Sequence, residues 1–219
     1  SFYWAASRGA ISKAGRGRSF IGSGATRIFI PRCTLYGGNQ CASSFQGRKW
    51  LENRVKKLVE DDGNFSQHSV TYHRVLLDTL IFVEYWRCQL GAEPFSDIYN
   101  QRSRAALNWL CAMTDENSGA APNLGANDGA LLQNAHGCDY RDFRPSIQTA
   151  SVLFYGRRCF SEGPWDEPVY WLGIKENSTS VDLPTNVSAK ASQVLPGGYV
   201  IMAGKSSWGM LRFPMYRFR

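Results

Sequence analysis

Not one acidic residue occurs before Glu52. Residues 1–51 hold eight of the chain's 25 Lys and Arg, whereas the other 17 bases face all 18 acids. The net charge of +7 therefore belongs to one end of the chain, and the remainder is nearly neutral. A basic end is compatible with RNA or a membrane surface, but no aromatic-interleaved recognition motif accompanies it, so nucleic acid is not an expected partner. No apolar run approaches the roughly 20 residues that a membrane helix needs, so membrane insertion is not expected. The opening Ser-Phe-Tyr-Trp-Ala-Ala-Ser-Arg lacks a secretory signal pattern and an initiator Met, which leaves room for a missing leader. The six cysteines (33, 41, 88, 111, 138, 159) form no Cys-x-x-Cys pair and no Cys/His cluster with zinc-ligand spacing. Neither a metal site nor a disulfide scaffold is expected, and nothing calls for a cofactor. Cys88 and Cys111 fall among apolar residues of expected helices and read as small buried side chains.

What is present begins in earnest at Gly47. Residues 1–46 are rich in Gly, Ser and Arg and show neither helical nor alternating periodicity, so they read as an irregular basic segment. Trp50, Leu51, Val55, Leu58 and Val59 then recur at helical spacing and predict an amphipathic helix closed near Asp62-Gly63. Ser69 is a suitable N-cap for a second helix from Val70 to about Leu90, apolar nearly all round and ended by Gly91. Ser96 or Asp97 caps a third, whose apolar set includes Ile98, Ala106, Leu107, Trp109, Leu110 and Met113. Residues 115–140 are a long Gly-, Asn- and Ala-rich loop, a length commonly functional or disordered. A fourth helix over Phe143–Tyr155 tolerates Pro145 in its first turn, and a short piece covers Glu167–Leu172. After a polar linker, Tyr199–Ala203 and Trp208–Phe213 read as a β-hairpin. Helices followed by strands suggest two layers or domains. The boundaries expected are 47–174 for the helical part, 175–196 for a linker and 197–219 for a truncated β part.

The richest chemistry lies in Asp62-Gly-Asn-Phe-Ser-Gln-His-Ser-Val-Thr-Tyr-His-Arg74. Tyr72 falls in the first turn of the second helix and His68 just before it, so both can point into one cleft. A tyrosine beside the fixed charge of Arg74 is expected to have a stabilised phenolate, able to act as base and then acid. Gln67 offers a neutral amide to a carboxylate or hydroxyl. The competing reading is structural: His68 caps a turn, Tyr72 packs in the core, and Arg74 pairs with Asp78 one turn on.

The stretch Gly63–Arg74, with an amphipathic helix before it and a long apolar one after, resembles the heparinase II/III family of polysaccharide lyases. Pro122-Asn-Leu-Gly-Ala-Asn-Asp-Gly129 is similar to that family's loop ending in Asn-Asp-Gly, and Tyr140-Arg-Asp-Phe-Arg144 also fits. The hairpin with its Gly-Gly-Tyr opening is similar to the start of the family's second domain, so the resemblance covers about residues 47–213. It implies a mainly α fold with a C-terminal β portion: a partial α/α toroid of helical hairpins, then the first strands of an antiparallel β-sandwich. It implies β-elimination on an acidic, uronate-bearing polysaccharide, and it favours the periplasm or cell envelope. One group neutralises the uronate carboxylate, a base takes the C5 proton, and a tyrosine protonates the leaving glycosidic oxygen.

Tyr72 matches the family's catalytic tyrosine. His68, Gln67, His73 and Arg74 are candidates for carboxylate binding or for orienting Tyr72. Asn127 and Asp128 either line the cleft or serve capping and turn formation. The family's upstream Asn-His has no counterpart here beyond Asn39, and its β-sandwich His lies past Arg219. The chain is therefore expected to be a fragment, with residues 1–46 either a flexible arm or, the reading preferred, mis-specified by a damaged or frame-shifted coding region. Two other readings stay open. One is a non-catalytic glycan-binding or cell-envelope assembly protein. The other is a glycoside hydrolase using Asp62 and Asp128 as its carboxylate pair.

Overall fold

The computed structural model describes residues 42–177, 193–195, 198–203 and 208–213. The basic segment up to residue 41, most of the polar linker and residues 204–207 between the expected strands lie outside the described residues. Within them the chain is mainly helical, with a small antiparallel sheet at its C-terminal end.

Helix α1 runs over Ala42–Leu58, α2 over Val70–Gln89, α3 over Asp97–Ala112, α4 over Arg144–Tyr155 and the short α5 over Glu167–Leu172. Capping sets the starts of α2 and α3. Ser69 accepts the Tyr72 N–H at 3.2 Å and Ser96 accepts the Tyr99 N–H at 3.4 Å, each filling an orphan donor of the first turn. Gly156 closes α4 in the left-handed conformation (φ 76°). The expected helices are all found, with ends that differ by a few residues.

Two apolar clusters hold the helices. Leu51 and Val55 of α1, with Val59 just past its end, meet Leu76 and Leu80 of α2 and Tyr99 and Ala106 of α3. Val70, Leu77 and Ile81 meet Leu107, Leu110 and Ile147 in the second cluster. Trp50, grouped by spacing with the buried face of α1, is instead 47% exposed with the Arg54 guanidinium over its ring. Helix α2 is buried only from Val70 to Ile81; beyond that it grows exposed, and Trp86 is 42% accessible. A helix of 20 residues is about 30 Å long and overshoots the 12-residue α4 packed on it, so among the described residues α4 does not cover its far end. Cys88 sits on that far end and is exposed, not buried as its neighbours suggested, while Cys111 is buried.

Strand β1 (Gln193–Leu195) pairs with β2 (Tyr199–Ala203), which pairs with β3 (Trp208–Arg212), all antiparallel. The β2–β3 pair is the hairpin seen in the sequence. β1 was not legible, because three residues cannot display an alternation. Tyr199 and Ile201 alternate inward and are 0% and 2% exposed, packing in the same cluster as α3 and α4. The Tyr199 ring meets Trp109 edge-on at 5.4 Å. Helices and sheet therefore share one core.

Candidate functional site

The site is built where the loop between α3 and α4 crosses the N-terminus of α2. The Val70 N–H donates to the Leu124 carbonyl at 3.1 Å, and the Ser69 hydroxyl donates to the Ala126 carbonyl at 2.6 Å. Gly125 allows this close approach. It has φ +76°, and a Cβ on it would stand 2.5 Å from the His68 carbonyl oxygen. Three residues on, the loop turns back through Asp128, whose Oδ1 accepts the Ala130 N–H at 3.2 Å. That turn aims Oδ2 at Tyr72, whose hydroxyl donates to it at 2.6 Å. Tyr72 is half-buried and Asp128 exposed, so this pair lies at the surface.

The electrostatics of the pair reverse the expectation. The hydrogen bond to Asp128 raises the Tyr72 pKa above its usual value, with burial and the Asp128 charge adding to it. The same bond lowers the Asp128 pKa. Tyr72 is thus held as the neutral phenol, because a phenolate would face a carboxylate at contact distance. The cation expected to stabilise that phenolate points elsewhere. Arg74 is 1% exposed, donates to the Tyr140 carbonyl at 2.6 Å and lies 4.5 Å from the ring centroids of both Tyr140 and Phe143. Asp78 acts on it as a nearby charge, while its hydrogen bonds go to main-chain carbonyls.

His73 is likewise internal. It is 1% exposed, shares a 2.8 Å hydrogen bond with the Ala106 carbonyl and stacks on Trp109 at 4.4 Å. Burial pulls its pKa down to about 4, so it is a neutral core imidazole at ordinary pH. Burial thus removes both His73 and Arg74 from direct contact with a substrate in this structure. Their expected binding roles are corrected to packing and loop support.

His68 and Gln67 stay at the surface side, His68 exposed and Gln67 half-buried. His68 adopts φ +51°, the one positive φ at a non-glycine among the described residues. A left-handed histidine is costly enough to need external support, here the Gly125 backbone lying against its carbonyl. Asn127 is largely engaged within the loop. Its side-chain oxygen accepts the Tyr140 hydroxyl at 2.8 Å and the Gly129 N–H at 3.2 Å, and its amide donates to Asn123 at 2.9 Å.

The structure therefore brings Tyr72, Asp128, Asn127 and His68 into one neighbourhood around the loop, with Gln67 beside it. Tyr140 was missed as a member: its hydroxyl braces Asn127, and its carbonyl and ring hold Arg74. Its place at the head of the Tyr-Arg-Asp-Phe-Arg motif was the available signal. Ser69 was read only as a cap, yet its hydroxyl also pins the loop. Asp62, the other half of the expected carboxylate pair, accepts the Asn64 N–H at 3.0 Å within the turn that ends α1. Among the described residues no group of three or more His, Cys, Asp or Glu could hold a metal ion. No described helix is long and apolar enough to cross a membrane. No family model, curated protein or solved structure matches the chain.

Proposed function

We propose that the chain is part of a polysaccharide lyase that cleaves an acidic, uronate-containing glycan by β-elimination, with Tyr72 as general acid. The observation that carries this reading is the Tyr72 hydroxyl at the surface, kept protonated by a 2.6 Å hydrogen bond to Asp128. Elimination needs a proton for the departing glycosidic oxygen, and a neutral phenol beside a carboxylate keeps its proton until a better acceptor arrives. His68, exposed and fixed in an uncommon backbone conformation one turn before Tyr72, is the candidate to take the C5 proton. Gln67 and Asn127 supply the side-chain amides of this neighbourhood, the chemistry that can donate to a uronate carboxylate. With Arg74 internal, that neutralisation rests on neutral donors or on residues outside those described.

In this reading the helices are a portion of an α/α toroid and the sheet is the start of a β-sandwich. Support for the sandwich comes from the sheet's outer face. Met202 and Leu211 are 49% and 56% exposed there, opposite the buried Tyr199 and Ile201. In the hydrolase alternative Asp128, whose carboxyl pKa is lowered, fits only the base or nucleophile, and the acid role would fall to Asp62.

The test is product analysis after incubation with heparan sulfate, alginate and bacterial exopolysaccharides. Unsaturated uronate ends, detected by ultraviolet absorbance, are expected. Saturated reducing ends would establish hydrolysis instead. Binding without cleavage would assign the chain to the glycan-binding or envelope-assembly class.

A further inference from the structure

Away from the Tyr72 site, two cysteines distant in sequence meet in the core. Cys111, in the last turn of α3, has its sulfur 3.2 Å from that of Cys159, in the segment after α4. Both are free thiols; Cys111 is buried and Cys159 half-buried. Their meeting is built by a set of polar contacts. Gln148 of α4 is 0% exposed, and its side-chain oxygen accepts the N–H groups of Cys159 and Phe160 at 3.0 and 2.9 Å. The Gln148 amide in turn donates to Asp166 at 2.8 Å, and Arg158 bonds the same Asp166 oxygen at 3.1 Å. The backbone on the Cys159 side is thereby pinned, and on the other side Cys111 is held by helix α3. A disulfide requires about 2.05 Å between sulfurs, so closure asks for a movement of roughly 1 Å from two clamped elements.

We propose that Cys111 and Cys159 form a thiol pair that a small-molecule disulfide such as oxidised glutathione converts to an intramolecular disulfide. The half-exposed Cys159 gives up its proton and attacks one sulfur of the reagent, expelling one glutathione thiolate and forming a mixed disulfide. Cys111 then loses its proton and attacks the Cys159 sulfur, expelling the second glutathione thiolate. The two protons pass to the two departing thiolates. Two electrons leave the protein, and one reagent disulfide is reduced to two thiols. The order follows from access: Cys159 is half-buried and within reach of a reagent, whereas Cys111 is buried and meets its target inside the protein.

The product would tie the end of α3 to the segment following α4. It would bracket the base of the loop that carries Asn127 and Asp128, since that loop starts just after Cys111 and ends at α4.

The full-length protein is incubated with oxidised glutathione, quenched with an alkylating reagent and analysed by peptide mass mapping. A cross-linked pair of peptides containing Cys111 and Cys159 is expected. It should come with a rise in Tm on the order of 5–10 °C that dithiothreitol reverses. Cys159→Ser should abolish both the cross-link and the Tm rise, and Cys111→Ser should leave a stable glutathione adduct on Cys159. Wild-type protein in which Cys159 stops at the glutathione adduct would overturn the proposal. So would alkylation of both cysteines after treatment that modifies the exposed Cys88. Neither readout depends on glycan cleavage, so failure here is separable from failure of the lyase reading.

Discussion

Tyr72 was expected to have a cation for a neighbour, and it has an anion. The two residues after it in sequence, His73 and Arg74, turn inward because α2 buries the face they occupy, leaving Tyr72 alone at the edge. Adjacent residues on a helix point about 100° apart, so closeness in sequence placed these side chains in different environments. Asp128 became the partner through a loop more than 50 residues away, which no local pattern displays. The exchange decides the chemistry that Tyr72 can perform: donation is favoured and removal of its proton is not. Asp128→Asn should lower the Tyr72 pKa toward the ordinary phenol value. A spectrophotometric tyrosine titration, with Tyr72→Phe subtracted to isolate this ring from the chain's ten tyrosines, would measure it. The same substitution removes a negative charge from the site and should tighten binding of an anionic glycan. An unchanged Tyr72 titration would mean that the hydrogen bond does not form in solution.

Among the elements, helices were legible and the loop was not. The caps Ser69 and Ser96, the apolar spacing and the glycine stops mark α1 to α4 well, because each is a local rule that packing here reinforces. The loop of residues 113–143 has no period to read, and its shape depends on long-range ties. One is Arg144, which donates to the Glu116 and Asn117 carbonyls at 3.3 and 3.1 Å while pairing with Asp142 at 2.8 Å. Another is Gly125 against His68 and Ser69. Gly125→Ala should therefore displace the loop from α2. Stability should fall by about 1–3 kcal/mol in urea unfolding, and the Tyr72 pKa should move toward normal. Gly129→Ala is the matched control. It has a similar φ of +79° but nothing within 4 Å of the added Cβ, so its cost should be confined to the backbone. Equal effects of the two substitutions would show that the close approach at Gly125 does not matter.

For the molecule as a whole, two ionisable groups buried in α2 oppose each other as pH changes. Burial pushes the Asp78 carboxyl up to about 6, against the Ser146 hydroxyl, the Gln133 N–H and the Arg74 charge. Asp78 binds its proton more tightly when folded, so its contribution is present at low pH and is lost as pH rises from about 4 through 6. His73, pulled down to about 4, binds its proton less tightly when folded. Its contribution is present above pH 6.5 and is lost as pH falls through that range. Each is worth roughly 3 kcal/mol, so over pH 4–6 they nearly offset. Asp78→Asn should unmask the histidine, making stability rise with pH relative to wild type between 4 and 6.5. His73→Gln should unmask the opposite slope. Urea unfolding across pH 4–7 reads both, and parallel curves for variants and wild type would refute the buried-pair account.

The central claim is that the Tyr72 phenol delivers a proton to a departing sugar oxygen, and its most direct test compares turnover with binding in one variant. In Tyr72→Phe, release of unsaturated uronate ends should drop by two to four orders of magnitude, the range for losing a general acid. Affinity for the same glycan should stay within about threefold, because only one hydroxyl is removed. Turnover equal to wild type in that variant, with the fold intact by circular dichroism, would contradict the account.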